Sequence, residues 1–185
     1  MNAKTGRGSV GGKGANIRHK HDAYFTPRWC TESLLDSGII TPEIGTIWEP
    51  SCGDGAISKV LIDYGYDVVS TDLIDHGYGE PHNDFFETER DCQGIITNPP
   101  FNVMNKYILR AIDKAPFVAI LGRLLLLEGQ WRKKNIYSKH PPHRVLVLPY
   151  RPSFLDPVNQ PKGGMVAFAW FVWKRGSTEQ KIEWL

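Results

Sequence analysis

The fold is decided by residues 46–72, which read TIWEPSCGDGAISKVLIDYGYDVVSTD. Two apolar segments, at 46–49 and 67–71, have the length and the β-branched content of buried strands. Between them a glycine-rich turn leads into a helical pattern at 56–64, which Gly65 is well placed to end. The stretch therefore predicts a parallel βαβ unit, the plan on which nucleoside cofactors are bound.

The turn at residues 51–55 differs from the glycine-rich loops that hold phosphates. It has neither the Gly-Lys-Ser/Thr ending of a P-loop nor the full spacing of a dinucleotide site. Two carboxylates, Glu49 and Asp54, stand where a phosphate-binding site would avoid negative charge. Glycines at 53 and 55 let the backbone approach a ligand closely. The pattern favours a ligand with a cationic end, such as an amino group or a sulfonium.

Two further acids follow the unit. Asp72 ends the second strand, close to the spacing of ~20 residues at which an acid binds a ribose diol. Asp84 stands beside Phe85 and is placed to accept a hydrogen bond from an adenine amino group. Each acid can also be read as a solvated loop carboxylate.

A second motif, Asn98-Pro99-Pro100-Phe101, lies between an apolar run at 94–97 and a helical pattern at 103–114. Each proline lacks an N–H and fixes φ, so neither strand nor helix continues through the motif. The carboxyl end of a parallel strand is where open α/β sheets bind ligands. This stiff ledge suits a flat polar ring such as a nucleobase, and an ordinary strand-to-helix turn is the alternative.

The rest of the chain extends the same plan. Thr26 is a good N-cap and Pro27 fits the first position of a helix that ends near residue 37. Another helix is predicted at 124–137, and further strands at 117–121, 143–148 and 165–173. No helical pattern separates the last two strands, so we expect them to close an otherwise parallel sheet as an antiparallel hairpin.

Composition fits one globular domain. The chain has 185 residues and three cysteines, whose spacings match no zinc motif, so we expect no metal. With no apolar run of membrane length and no signal peptide, we expect a cytoplasmic protein that binds no membrane.

The net charge is +2, but residues 1–20 hold five basic residues and no acid. We predict a flexible, basic, glycine-rich tail at 1–20, which favours a polyanion partner or is inert, and a single domain at 21–185.

The motifs together resemble the class I S-adenosylmethionine-dependent methyltransferases, and within them the small phage-type enzymes of the DNA adenine-N6 group. The matching pieces, which cover roughly residues 22–122, occur in that group's order: Tyr24-Phe25-Thr26-Pro27, Glu49-Pro50-Ser51-Cys52-Gly53-Asp54-Gly55, Asp72, Asp84-Phe85-Phe86 and Asn98-Pro99-Pro100-Phe101. The resemblance implies a Rossmann-like α/β fold with a mostly parallel seven-stranded sheet, an antiparallel C-terminal hairpin and helices on both faces.

The resemblance also implies roles for the matching residues. Tyr24, Thr26 and Pro27 would border the methionine end of S-adenosylmethionine, and Glu49, Cys52, Gly53 and Gly55 would form its floor. Asp72 would hold the ribose hydroxyls, and Asp84 with Phe85 would bind the adenine. Asn98, Pro99, Pro100 and Phe101 would hold the target base.

The last of these roles can be argued from chemistry. The adenine N6 amine is a poor nucleophile because its lone pair is delocalised into the ring. Carbonyl oxygens of Asn98 and Pro99 can accept its two hydrogens and point the lone pair at the methyl group, while Phe101 stacks on the base. A base in a duplex must first be flipped out, at a cost of a few kcal/mol. Contacts that can offset this cost are predicted from basic and aromatic residues, namely Arg123, Trp131, Arg132, Lys133, Lys134, Arg144, Arg151 and Phe154.

One departure from the DNA enzymes leaves the substrate open. No segment is long enough for a separate target-recognition domain, so DNA, which we favour, is not distinguished from RNA. A protein glutamine methyltransferase uses a similar ledge, but usually with Tyr in the fourth place and an extra helical domain. A catalytically silent nucleic-acid-binding subunit is a further alternative. We expect a monomer or a homodimer.

Overall fold

The computed structural model describes residues 25–154 and 162–185, in which seven strands form one sheet. The strands are β1 Ile47–Glu49, β2 Val68–Ser70, β3 Gly94–Thr97, β4 Phe117–Arg123, β5 Arg144–Val147, β6 Phe168–Lys174 and β7 Lys181–Trp184. The α-helices are α1 Arg28–Asp36, α2 Ala56–Asp63, α3 Met104–Lys114 and the short α4 Gln130–Arg132. A π-helical turn, Lys133–Tyr137, continues α4, and 3₁₀ turns lie at Pro42–Ile44 and Leu124–Leu127.

The strand order is β2-β1-β3-β4-β6-β5-β7. β1 to β4 are mutually parallel, and β6 is inserted antiparallel between β4 and β5. The antiparallel pairing of the segments around 144–147 and 168–174 confirms the predicted hairpin. β6 begins at Phe168 and not at residue 165, because Met165 is 92% exposed and lies outside the ladder.

The edge strand β7 was absent from the pattern-based prediction, which ended the strands at residue 173. β7 pairs in parallel with β5, and all four of its residues are exposed. Arg144 supports this edge through ion pairs to Glu179 at 2.7 Å and Glu183 at 3.3 Å. These acidic partners engage the Arg144 guanidinium, and its role as a phosphate ligand stays a prediction.

Alternation along the central strands places side chains on the two faces of the sheet. Ile96, Ala119 and Leu121 join a buried cluster with residues of α1 and α2. Ile95, Val118 and Ile120 join a second cluster with residues of α3 and with Ile136 of the π-helical turn. The sheet is thus covered by helices on both faces, as the fold class predicts.

Two helix predictions are corrected. Thr26 does not cap α1, because Pro27 takes the N-cap position and its carbonyl accepts from Cys30 N at 2.9 Å. The helix expected at 124–137 is broken, because Gly129 has a φ of +105°, outside the helical range. The 3₁₀ turn Leu124–Leu127 therefore stands apart from α4, and both segments are held by side-chain hydrogen bonds.

Candidate functional site

A cleft of about 770 Å³ lies at the carboxyl ends of β1, β2 and β3. Its volume is within the range of small-molecule sites. Nine of the predicted site residues line it: Thr26, Glu49, Cys52, Gly53, Asp72, Asp84, Phe85, Asn98 and Pro100. The fold therefore brings the glycine turn, the second acid and the ledge to a single cavity.

The cleft is acidic. Four carboxylates line it, from Glu49, Asp54, Asp72 and Asp84. No Lys or Arg belongs to the lining formed by residues 25–154 and 162–185. Such a wall repels phosphate groups and attracts a ligand that carries positive charge.

Glu49 is the most buried of these acids, with 1% of its surface exposed. One of its oxygens, Oε2, accepts from Ser58 N at 2.8 Å and from the Ser58 hydroxyl. The Ser58 hydroxyl also contacts that of Ser70 at 2.6 Å. Burial raises the pKa of Glu49 well above its usual value, the hydrogen bonds from Ser58 oppose this, and Asp72 and Asp54 add to it. A cation beside Glu49 would relieve that cost.

Asp72 braces the glycine turn. Its Oδ2 accepts from Gly53 N at 2.8 Å, and its Oδ1 accepts from Ile74 N at 2.9 Å. Gly53 has a φ of +55°, which glycine adopts readily. Asp72 thus fixes the loops after β1 and β2 relative to each other while its carboxylate borders the cleft.

Cys52 and Gly55 differ in their relation to the cleft. Cys52 lines it, and burial raises the pKa of its thiol to about 12, so the thiol is neutral near pH 7. Gly55 was predicted to form the cofactor floor but lies outside the lining. A Cβ built on Gly55 would stand 2.5 Å from the Tyr78 ring. Close packing against Tyr78 and a φ of +80° both favour glycine at this position, and its place in the cofactor floor stays a prediction.

The segment after residue 83 contributes a second aromatic ring to the cleft besides the predicted Phe85. Phe85 is 4% exposed and stacks on Tyr107, with ring centroids 4.1 Å apart, so its ring is a core element. Phe86 is 36% exposed and also lines the cleft. Asp84 Oδ1 accepts from Phe86 N at 2.8 Å, which shapes the turn. Adjacent aromatic letters in the sequence do not reveal which ring is buried.

Arg110 of α3 fastens this turn to the rest of the site. Its Nε donates to Phe85 O at 2.5 Å and its Nη2 donates to Thr88 O at 3.0 Å. Its guanidinium also lies 5.5 Å from the centroid of the Phe85 ring. Arg110 is a site residue that the sequence reasoning missed, because only the tertiary fold brings it beside residues 84–88.

The ledge divides into a part that faces the cleft and a part that does not. Asn98 and Pro100 line the cleft, together with Asn102 and Val103, which were not predicted. Asn98 Nδ2 donates to Thr26 Oγ1 at 3.1 Å, which orients the amide. Its other terminal atom, Oδ1, is a buried acceptor.

Phe101 and Pro99 lie outside the cleft lining. Phe101 packs against both hydrophobic clusters, and its centroid is 5.9 Å from that of Phe168. The Arg123 guanidinium lies over the Phe101 ring at 4.3 Å. The ring lies at the boundary of the two cores and outside this cavity, and its stacking on a target base stays a prediction.

The predicted nucleic-acid contacts fall into exposed and engaged groups. Arg123, Trp131, Lys133, Lys134 and Arg151 are exposed. Arg132 is engaged with Asn105, Leu125 and Glu128, and Phe154 packs on Phe168 at 5.0 Å between centroids.

Pro27 is buried at the start of α1, beside the cleft-lining Thr26. Tyr24 and the basic tail lie outside the described residues.

A pair of hydroxyl groups also contributes to the cleft lining. The hydroxyls of Ser51 and Tyr107 are 2.7 Å apart, and both residues line the cavity. Across the two described ranges, no group of three His, Cys, Asp or Glu side chains is arranged to hold a metal ion. The helices in the same ranges are too short or too polar to cross a membrane.

Comparison with known proteins identifies the architecture. No protein-family profile and no curated sequence matches the chain. Solved structures do match it. A putative RNA methyltransferase from Pyrococcus horikoshii superposes with a TM-score of 0.65 at 15% identity, covering 83% of this chain and 88% of that one. A type I restriction-modification methyltransferase subunit from Streptococcus thermophilus superposes with a TM-score of 0.58 at 13% identity. The match covers 82% of this chain and 44% of that one.

A magnesium protoporphyrin IX methyltransferase from Synechocystis, solved with bound S-adenosylmethionine, gives a TM-score of 0.52 at 10% identity, over 78% of this chain and 77% of that one. The chain spans less than half the length of the restriction-modification subunit. Identities this low show the architecture alone. The protein has the Rossmann-like fold of the class I S-adenosylmethionine-dependent methyltransferases, with a mostly parallel seven-stranded sheet.

Proposed function

We propose that the protein transfers a methyl group from S-adenosylmethionine to an exocyclic amine of a nucleic-acid base, adenine N6 in DNA being the favoured target. One observation carries the proposal. A cleft lined by four carboxylates and by no Lys or Arg of the described chain opens directly beside the Asn98 amide. A cationic cofactor and an amine acceptor are the pair of ligands that this arrangement suits.

The cleft residues fit the cofactor part by part. S-adenosylmethionine, when bound, supplies an electrophilic methyl group on a positively charged sulfur and also carries an ammonium group. Glu49, which is held by Ser58, offers a buried carboxylate toward such positive charge. Asp72 borders the cleft with a carboxylate that suits ribose hydroxyls, and Asp84 with Phe86 suits the polar edge and the face of an adenine ring.

The ledge residues act on the base. Thr26 fixes the Asn98 amide through Nδ2, so the carbonyl end is the one that can accept hydrogens from an incoming amine. The Pro99 carbonyl is the proposed acceptor for the second hydrogen. These bonds hold the lone pair on nitrogen in the direction of attack, and orientation of this kind contributes up to ~7–11 kcal/mol. The amine loses its proton after transfer, so no strong base is needed in the cleft.

The polymer that carries the amine is tested directly. Purified protein is incubated with S-adenosylmethionine labelled in its methyl group and, in separate reactions, with DNA, RNA and total protein. We expect label in DNA, on adenine N6 after digestion to nucleosides. Label in RNA alone would replace DNA with RNA, and label in glutamine of protein alone would overturn the nucleic-acid assignment. No transfer to any polymer would favour a silent binding subunit.

A further inference from the structure

The 3₁₀ turn Leu124–Leu127 presents apolar side chains to solvent beside the ledge. Leu125 is 63% exposed and Leu127 is 43% exposed, whereas Leu126 is 6% exposed and belongs to a core cluster. The turn follows β4, whose last residue, Arg123, covers the Phe101 ring at 4.3 Å. Leu125 is therefore two residues from a side chain that contacts Phe101 of the ledge.

The backbone of this turn is held firmly. Arg132 Nη1 donates to Leu125 O at 3.2 Å and to Glu128 O at 2.8 Å, and its Nε donates to Asn105 Oδ1 of α3 at 2.9 Å. The Tyr137 hydroxyl donates to Leu126 O. Because these hydrogen bonds hold the backbone, an exposed leucine on the turn can insert into a base stack without displacing the turn.

The charge around the turn complements a nucleic-acid backbone. Arg123, Lys133 and Lys134 are exposed on the same stretch of chain, and Glu128 is the one acid between residues 123 and 134. Trp131 is 51% exposed in the middle of this segment. Lysine and arginine attract phosphates, and apolar side chains inserted between base steps partly unstack a duplex.

We propose that Leu125 is an intercalating wedge that enters duplex DNA beside the target adenine and holds the base stack open while that adenine is on the ledge. The inference rests on the proposed function. It commits the substrate to a duplex, because a wedge has nothing to separate in an unstacked single strand. It also assigns Arg123, Lys133 and Lys134 to the phosphates that flank the opened step.

The test compares native and heat-denatured samples of the same mixed-sequence DNA, with kcat/KM measured for each. Leu125→Ala is expected to lower kcat/KM on native DNA about tenfold, because unstacking then lacks its wedge, and on denatured DNA less than about twofold. Leu125→Met keeps the apolar bulk and should restore the native rate. Ile182→Ala on the edge strand β7 is the matched control, since Ile182 is 53% exposed and lies away from the cleft.

Different failures have different meanings. Equal losses on native and denatured DNA would overturn the wedge and leave the methyltransferase proposal standing. A wild-type protein that methylates denatured DNA but not native DNA would do the same. A protein that methylates no nucleic acid would overturn both. Thermal melting should be unchanged in Leu125→Ala, because the side chain removed is largely solvated.

Discussion

Replacement of Glu49 by Gln should weaken cofactor binding and, in the unliganded protein, leave stability unchanged or higher. The substitution keeps a carbonyl oxygen that can accept both donors of Ser58, so the local hydrogen bonds survive. What it removes is the ability to carry a negative charge at a position that is 1% exposed. The two effects have opposite signs, and a general packing defect would not produce that combination.

The expected size follows from the contacts. Interactions of a charged group with a hydrogen-bonding partner contribute ~1.5–3 kcal/mol, which corresponds to about 10- to 150-fold in Kd. The stability effect follows from the raised pKa of Glu49. The folded protein holds this proton at pH values where the unfolded chain has released it. The resulting stabilisation is complete below the ordinary pKa of Glu and is lost as the pH rises through the folded-state pKa.

Calorimetric titration with S-adenosylmethionine and S-adenosylhomocysteine, across a pH series above the ordinary pKa of Glu, measures both effects alongside thermal melting. Wild-type affinity should rise with pH as Glu49 loses its proton, whereas the affinity of Glu49→Gln should stay constant. Equal losses for the two ligands would place Glu49 near the ammonium group, and a loss for S-adenosylmethionine alone would place it near the sulfonium. Asp36→Asn, at the exposed end of α1, is the control. Unchanged affinity in Glu49→Gln, or a clear fall in its melting temperature, would refute the reasoning.

Three further predictions address other parts of the site. Asn98→Ala should reduce methyl transfer by about 10²–10³-fold while calorimetry shows cofactor binding intact, since the amide is assigned to the base; loss of cofactor binding as well would mean the residue is misassigned. Arg110→Met should weaken cofactor affinity about tenfold without a matching fall in kcat, because it releases the turn that carries Asp84; an unaltered Kd would contradict this role. Deletion of residues 1–20 should lower DNA affinity and the slope of its salt dependence at constant melting temperature, and an unchanged slope would make the tail inert.

The parallel half of the sheet could be predicted because its strands are apolar runs bounded by glycine, proline and aspartate. β7 could not, because all four residues of Lys181–Trp184 are exposed and the segment shows no apolar face, although it pairs with β5. A helix at 124–137 was predicted from the spacing of its apolar residues. That spacing gives no information about the φ of Gly129, which interrupts the helix. Local patterns therefore sufficed where burial dominates, and they failed where long-range contacts decide.

In the site, the residue types were easier to predict than the directions of their side chains. The carboxylates and the Asn98 amide border the cleft because a polar residue that follows a buried strand is placed at the edge of the sheet, where the cleft opens. Phe101 packs against the cores outside the cleft, whereas the largely buried Phe85 shares the cleft wall with the more exposed Phe86. Which of two neighbouring rings is solvated depends on Tyr107 and Phe168, whose positions are known only from the fold.

The place of β6 in the sheet has a consequence for biosynthesis. β6 is the only strand that joins β4 to β5 in the described sheet, pairing with seven residues of one and four of the other, yet it is synthesised after both. A nascent chain that ends before Lys174 therefore exposes the open edges of β4 and β5, which are templates for pairing with other chains. The sheet can close only after translation has passed this strand, so folding on the ribosome is expected to be late, and premature stops should yield aggregates rather than partly active fragments.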